Sequence, residues 1–235
     1  MDAFSTSLAV TILSVAFLHT LLGPDHWLPF VALGRARGWS LRRTLLVTAG
    51  CGLAHVASSI GLAALALALG WGATEVAGIE SVRGDLAAWL LIGFGAAYAL
   101  WGLRRALRAR RGVHRHGGLF HSHHHGELPH SHGGDEPTPA TRSGAVWALL
   151  IIFVLGPCEP MIPLLVAPAG RGDWGTAAVS ALLFSVVTVV TMLVLVAVGS
   201  LGIERLPLRP LERWSHAIAG TAVGLCGVAI VALGW

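Results

Sequence analysis

Six stretches of this chain, 4–33, 44–73, 86–103, 145–169, 174–202 and 214–235, are apolar over close to the 20 residues that a helix needs to cross a hydrocarbon core. Hydrocarbon holds no water to satisfy a peptide group, so such a chain is confined to helices whose hydrogen bonds close within each segment. The expected fold is therefore all-α, a polytopic membrane protein of six transmembrane helices. Composition agrees, with 54% hydrophobic and 12% charged residues, where a soluble domain has about a quarter of its residues charged.

The charges that remain give an orientation. All 16 cationic residues are arginines, and 14 of them fall in 35–43, 104–142 and 205–213, three loops on one side of the six spans. The positive-inside bias makes that side cytoplasmic and puts both termini outside a bacterial-type cytoplasmic (inner) membrane. The opposite loops carry Arg83 and Arg171 with Glu75, Glu80, Asp85 and Asp173. The sequence pI of 9.8 thus reflects topology, and no nucleic-acid partner is expected. The first segment begins with Asp2 and no cation, which argues against a cleavable signal peptide. Cys51, Cys158 and Cys226 all lie in apolar stretches, so no extracellular disulfide framework is expected.

The long loop, residues 104–143, separates a first three-helix unit (residues 1–103) from a second (residues 144–235). His114, His116, His121, His123, His124, His125, His130 and His132 crowd it among glycines and prolines, a composition expected to stay disordered and able to capture metal ions loosely. Three spans is an odd number, so the second unit enters the membrane from the side opposite to the first, as inverted-repeat transporters do. A shift of 133 residues sets Gly156–Pro157 of "FVLGPCEPMIPLL" on Gly23–Pro24 of "HTLLGPDHWLPF", and Thr188 opposite His55.

Both of these motifs interrupt their spans. Proline lacks the donor that a helix needs and clashes with the turn before it, so Gly23, Pro24 and Pro29 in the first span, and Gly156, Pro157, Pro160 and Pro163 in the fourth, are read as helix breaks. The first apolar run would measure roughly 45 Å as a straight helix against a core of about 30 Å, and a break uses the excess. Two breaks facing each other near mid-membrane are expected to gather Asp25, His26, Cys158 and Glu159. His19 lies two turns before His26, and His55 offers a further ligand from the second span. Imidazole, thiolate and carboxylate together suit Ni²⁺, Co²⁺, Zn²⁺ or a similar divalent ion better than Mg²⁺ or Ca²⁺. Ser58, Thr188 and Thr191 are candidates for a proton relay beside that site. The plainer role for the same groups is to pair with one another and stabilise a kink, but ionisable residues inside a span mark function more often than structure.

"HTLLGPDH" in the first span, six spans and a central histidine-rich loop resemble the nickel/cobalt permeases of the NicO type and the related urease-accessory membrane proteins. Here five residues separate His19 from Asp25, where the permeases carry four, which leaves the metal open. "GPCEPMIP" resembles the proline–cysteine breaks of DsbD/CcdA-type transporters, which share the wider six-span superfamily. The resemblance implies secondary transport of a divalent metal ion, with His19, Asp25 and His26 as first-span ligands, the metal as substrate, protons as a possible coupling ion, and no organic cofactor. No "GxxxxGK[ST]" phosphate loop, no lysine and no "HExxH" occur, so neither ATP-driven pumping nor an enzyme activity is expected. Two alternatives stand: a thiol-disulfide electron transporter using Cys51 and Cys158, and a non-transporting metal-binding accessory protein.

Overall fold

The computed structural model describes residues 3–109, 114–116, 119–121, 139–205 and 209–233, with side chains over 6–108, 144–205 and 211–233. The chain is helical: α1 (Ala3–Leu22), a 3-10 turn (Pro24–His26), α2 (Leu28–Ala36), α3 (Leu41–Ala68), α4 (Ala73–Ala109), α5 (Pro139–Leu155), α6 (Met161–Ala169), α7 (Trp174–Glu204), a second 3-10 turn (Arg209–Trp214) and α8 (Ser215–Leu233). Among the described residues, four helices are long and apolar enough to cross a membrane: α3, α4, α7 and α8 with the turn before it. The apolar parts of α1 and α5 are shorter, Thr6–Leu22 and Gly144–Leu155, and each is followed across a break by a nine-residue helix, α2 or α6.

The helix ends follow local chemistry. Ser40 Oγ accepts the Arg43 N–H at the start of α3, and Asp173 Oδ1 accepts the Thr176 N–H at the start of α7. At the far ends of α3 and α6 the chain turns through Gly70 (φ 74°) and Gly172 (φ 79°), a left-handed conformation that glycine adopts without penalty.

In lipid, apolar helix faces gain nothing by leaving water, so packing depends on close backbone approach. The α4–α8 seam does this with glycine. A Cβ at Gly95 would overlap the backbone of Gly224, one at Gly220 the backbone of Ala99, and one at Gly227 would lie 2.6 Å from the Ala88 carbonyl. At the arginine-rich end of the seam, Tyr98 of α4, Arg37 just past α2 and His216 of α8 form one polar knot, with Arg37 Nε donating to Tyr98 Oη at 3.2 Å and His216 Nδ1 2.9 Å from the same oxygen. Several other contacts resemble one another in pairs, although among the described residues that of α4 with α5 has no α1–α8 counterpart of like extent. α1 packs on α7 as α5 packs on α3, and α2 packs on α7 and α8 as α6 packs on α3 and α4. Val179, Leu182, Val186, Val190, Val194 and Val198 form an exposed stripe along α7, an apolar surface suited to lipid and unsuited to water.

Two expectations need correction. The third span was bounded at 86–103, but α4 runs over 37 residues, about 55 Å at 1.5 Å per residue; Glu75, Glu80, Arg83 and Asp85 therefore stand on a helix and not in a loop. Glu80 is fully buried. Within the histidine-rich loop, two short segments, β1 (His114–His116) and β2 (Leu119–His121), pair antiparallel with His114 opposite His121. His123, His124, His125, His130 and His132 lie outside the described residues.

Candidate metal centre

The site begins with the end of α1. Gly23 N–H makes a last helical bond to the His19 carbonyl (3.0 Å), and Pro24, with no N–H, cannot make the next. The chain then closes one tight turn, His26 N–H to Gly23 O at 3.1 Å and Trp27 N–H to Pro24 O at 3.4 Å, before α2 starts with Pro29 in its first turn. This short turn folds His26 back toward the helix it has just left. Its ring centroid lies 4.7 Å from that of His19, with the planes at 77°. The approach requires a glycine for its space, since a Cβ at Gly23 would sit 2.6 Å from His26 Nδ1 and 3.0 Å from both Asp25 Oδ1 and the His19 carbonyl.

His55 enters from halfway along α3, its centroid 5.3 Å from that of His26 and the rings nearly perpendicular at 88°. One nitrogen from each of His19, His26 and His55 lies within 4.8 Å of the other two. Nitrogens bound at about 2.0–2.1 Å on a tetrahedral ion are about 3.3 Å apart, so modest ring rotations close three imidazoles on one cation. His55 is already oriented for this. Its Nδ1 lies 3.2 Å from the Phe153 carbonyl, which can only accept, so Nδ1 carries the proton and Nε2 keeps its lone pair. A ligand imidazole commonly fixes its tautomer through such a bond on its far nitrogen.

The surroundings of the trio supply a second argument. Among the described residues, the buried side-chain nitrogens and oxygens without a hydrogen-bond partner are His19 Nε2, His26 Nδ1 and Nε2, Trp27 Nε1, His55 Nε2 and Thr188 Oγ1. A buried, unpaired polar group costs about 1–3 kcal/mol, and here such groups are concentrated on the trio, the residue after His26 and one residue of α7. Thr188 is fully buried between Phe184, whose ring centroid is 6.3 Å from that of His19, and Met192, which packs against Gly52 one turn from His55. Asp25, about a quarter exposed, sets Oδ2 3.3 Å from His26 Nδ1, so a negative charge borders the three nitrogens.

The other predicted donors stand outside the trio, with Asp25 at its edge. Asp25, Cys158 and Glu159 are not in the three-nitrogen group. Cys158 is fully buried against Ile12, Ala16, Met161 and Phe184, and Glu159 is exposed. Cys51 packs in a different cluster, with Phe30, Phe153 and Met192. Beyond Pro157 the backbone no longer keeps the helical phase that would have matched Cys158 to Asp25. The second break meets the site through Gly156 instead, where a Cβ would lie 3.2 Å from His55 Nδ1. Of the remaining break residues, Pro160 precedes α6, Pro163 lies in its first turn, and Pro157 packs under Gly84 of α4. Ser58 Oγ donates to the His55 carbonyl at 2.8 Å, and Thr191 is largely buried on α7.

Two residues escaped the sequence reading. Glu80 and Arg83 form an ion pair one helical turn apart on α4, directly against the second break. Their spacing in "GIESVRGDL" was the available signal, since opposite charges at i and i+3 share a helix face. No family model, curated protein or solved structure matches the chain, so its function has to be argued from the three imidazoles and what surrounds them.

Proposed function

We propose that the protein carries a divalent transition-metal ion, of the Ni²⁺ or Co²⁺ kind, across the membrane, with the ion held between His19, His26 and His55 on its way. The observation that carries this reading is the convergence of three imidazoles from two helices and a helix break, with their free nitrogens unpartnered and buried. Neutral imidazole is a borderline donor that prefers late first-row ions to Mg²⁺ or Ca²⁺. Three protein ligands leave a position for water or an incoming ligand, and an ion that must leave again needs such incomplete coordination. Asp25 contributes charge at the edge of the site, and its partial exposure suits an entry group.

The inverted-repeat architecture belongs to the same proposal. Each half has a broken span followed by two further helices, and the matching contacts between halves support a two-fold relation in the membrane plane. On this reading α1 with α2 and α5 with α6 each count as one span, giving six, with both termini outside and the histidine-rich loop in the cytoplasm as a loose reservoir. Kinship with the NicO-type permeases is likewise proposed, on the histidine-to-"DH" motif. A doubly charged ion entering down about 100 mV gains about 4.6 kcal/mol, enough for uptake with no coupling ion.

The test is Co²⁺ and Ni²⁺ flux into liposomes holding the purified chain. Flux is expected in the wild type and lost in His26→Ala and His55→Ala while both variants stay folded. Undiminished flux in both variants would defeat the site. Metal binding without flux would identify a metal-binding accessory protein, and an air-oxidised Cys51–Cys158 crosslink with no metal binding would favour electron transfer.

A further inference from the structure

The second break leaves particular backbone groups without partners, and the identity of their replacements sets the inference. In an unbroken helix Phe153 O would accept from residue 157, Val154 O from residue 158 and Gly156 O from residue 160. Residues 157 and 160 are prolines and have no N–H to give. The N–H of Cys158 is turned away from α5 and donates to Glu80 Oε2 at 3.0 Å. Three carbonyls are therefore orphaned at a depth where lipid offers nothing. Phe153 O is met by the Gly156 N–H at 3.2 Å and by His55 Nδ1. Val154 O and Gly156 O are met by one guanidinium nitrogen of Arg83, at 2.6 and 3.4 Å.

The same Arg83 nitrogen donates to Ser58 Oγ at 2.8 Å, and Ser58 Oγ in turn donates to the His55 carbonyl. Arg83 thus reaches His55 from two directions: through its backbone by way of Ser58, and through its ring by way of the Val154 and Gly156 carbonyls, which follow on from the Phe153 carbonyl that holds Nδ1. The guanidinium is itself held by Glu80, whose carboxylate pairs with Arg83 Nη1, accepts from the Cys158 N–H and lies 3.5 Å from Ser59 Oγ. A planar fork with several donors suits this work, and a lysine ammonium on a flexible stem does not.

We infer that Arg83, fixed by Glu80, is a positioning residue for His55: by holding the orphaned carbonyls of the second break, it sets the tautomer and direction in which His55 meets a metal ion. The inference rests on the metal-carrying reading for what His55 does, but the positioning itself can be read without metal. Neither residue touches the three-nitrogen group, so both act through Ser58 and the α5 carbonyls.

The experiment uses the full chain in detergent, as wild type, Arg83→Gln, His55→Ala and Arg83→Gln with His55→Ala. ¹⁵N-histidine NMR of metal-free protein, with the His55 signals assigned by their loss in His55→Ala, is expected to show an Nδ1–H tautomer in the wild type and a mixture in Arg83→Gln. Co²⁺ titration followed by d–d absorption is expected to give a 10- to 100-fold weaker Kd in Arg83→Gln, the usual effect of losing an outer partner of a ligand, and no further weakening when the change is added to His55→Ala. An unchanged His55 tautomer in folded Arg83→Gln, or a Kd within twofold of wild type, overturns the inference. Should the wild type bind no Co²⁺, the metal reading falls while the NMR comparison still decides the positioning. If Arg83→Gln does not accumulate, Arg83→Lys, which keeps the charge and loses the fork, carries the same two readouts.

Discussion

Gly23→Ala separates the fold from the site. The backbone at Gly23 has φ −81° and ψ 93°, a conformation open to alanine, so the substitution adds no torsional strain. What it adds is a methyl group 2.6 Å from His26 Nδ1, where ordinary contact begins near 3.4 Å, so the imidazole must retreat by about 0.8 Å. The methyl cannot move the other way, because the His19 carbonyl stands 3.0 Å from it in the last turn of α1. Overpacking of this kind costs about 1–3 kcal/mol, partly offset by the roughly 0.4–1 kcal/mol that alanine gains over glycine in the unfolded chain. Stability should therefore fall by no more than about 2.6 kcal/mol. The site is less tolerant: ligands must lie within about 0.5 Å of their working positions, and misplacement by about 1 Å costs on the order of 100-fold. Co²⁺ affinity is expected to weaken by about 10- to 100-fold, equal to about 1.4–2.7 kcal/mol. Isothermal titration of the purified chain, with thermal melting of the metal-free protein beside it, measures both quantities. A Kd within twofold of wild type in a folded Gly23→Ala protein would refute the claim that His26 binds metal in the arrangement described here.

Gly220→Val should cost more stability than any change at the site, because its side chain would have to displace the α4 backbone at Ala99; the expectation is a loss above about 3 kcal/mol or failure to accumulate, read by melting in detergent. Hydrogen bonding from the Thr176 side chain and then from its N–H holds the Asp173 carboxyl below its usual range, so this contribution is complete above pH about 4 and is lost as the pH falls through the lowered folded-state value. Amide exchange at Thr176 should accelerate over that acidic window in the wild type and show no such pH step in Asp173→Ala. Deleting residues 113–135 should shift apparent metal affinity while leaving flux in liposomes intact, and abolished flux would put the loop in the pathway.

The sequence exposed the first half of the site more clearly than the second, for a geometric reason. "GPDH" announced its own break, and because the turn that follows is short and bonded to itself, His26 could fold back only onto the helix end that carries His19. His55 sat in an uninterrupted helix, where a buried polar side chain at mid-length needs an explanation. Cys158 and Glu159 were matched to Asp25 and His26 by alignment, but alignment carries no side-chain direction across the five residues between α5 and α6 that lack helical phase. Glu80 and Arg83 were concealed by ordinary reasoning about charge: four ionisable residues in 75–85 read as a loop until the partner surface that covers Glu80 and Arg83 is known. That surface, the carbonyls stranded by Pro157 and Pro160, is 71 and 73 residues beyond Arg83 along the chain and has no one-dimensional signature.

The glycine seam between α4 and α8 has a mechanical meaning. Where two backbones touch with no side chains between them, there is nothing to re-rotamerise and no gap to slide into, so that contact behaves as an axle. On the transport reading proposed above, rocking that opened the three imidazoles to one side or the other would turn about it, and the strain of each cycle would fall on the short nine-residue rods α2 and α6.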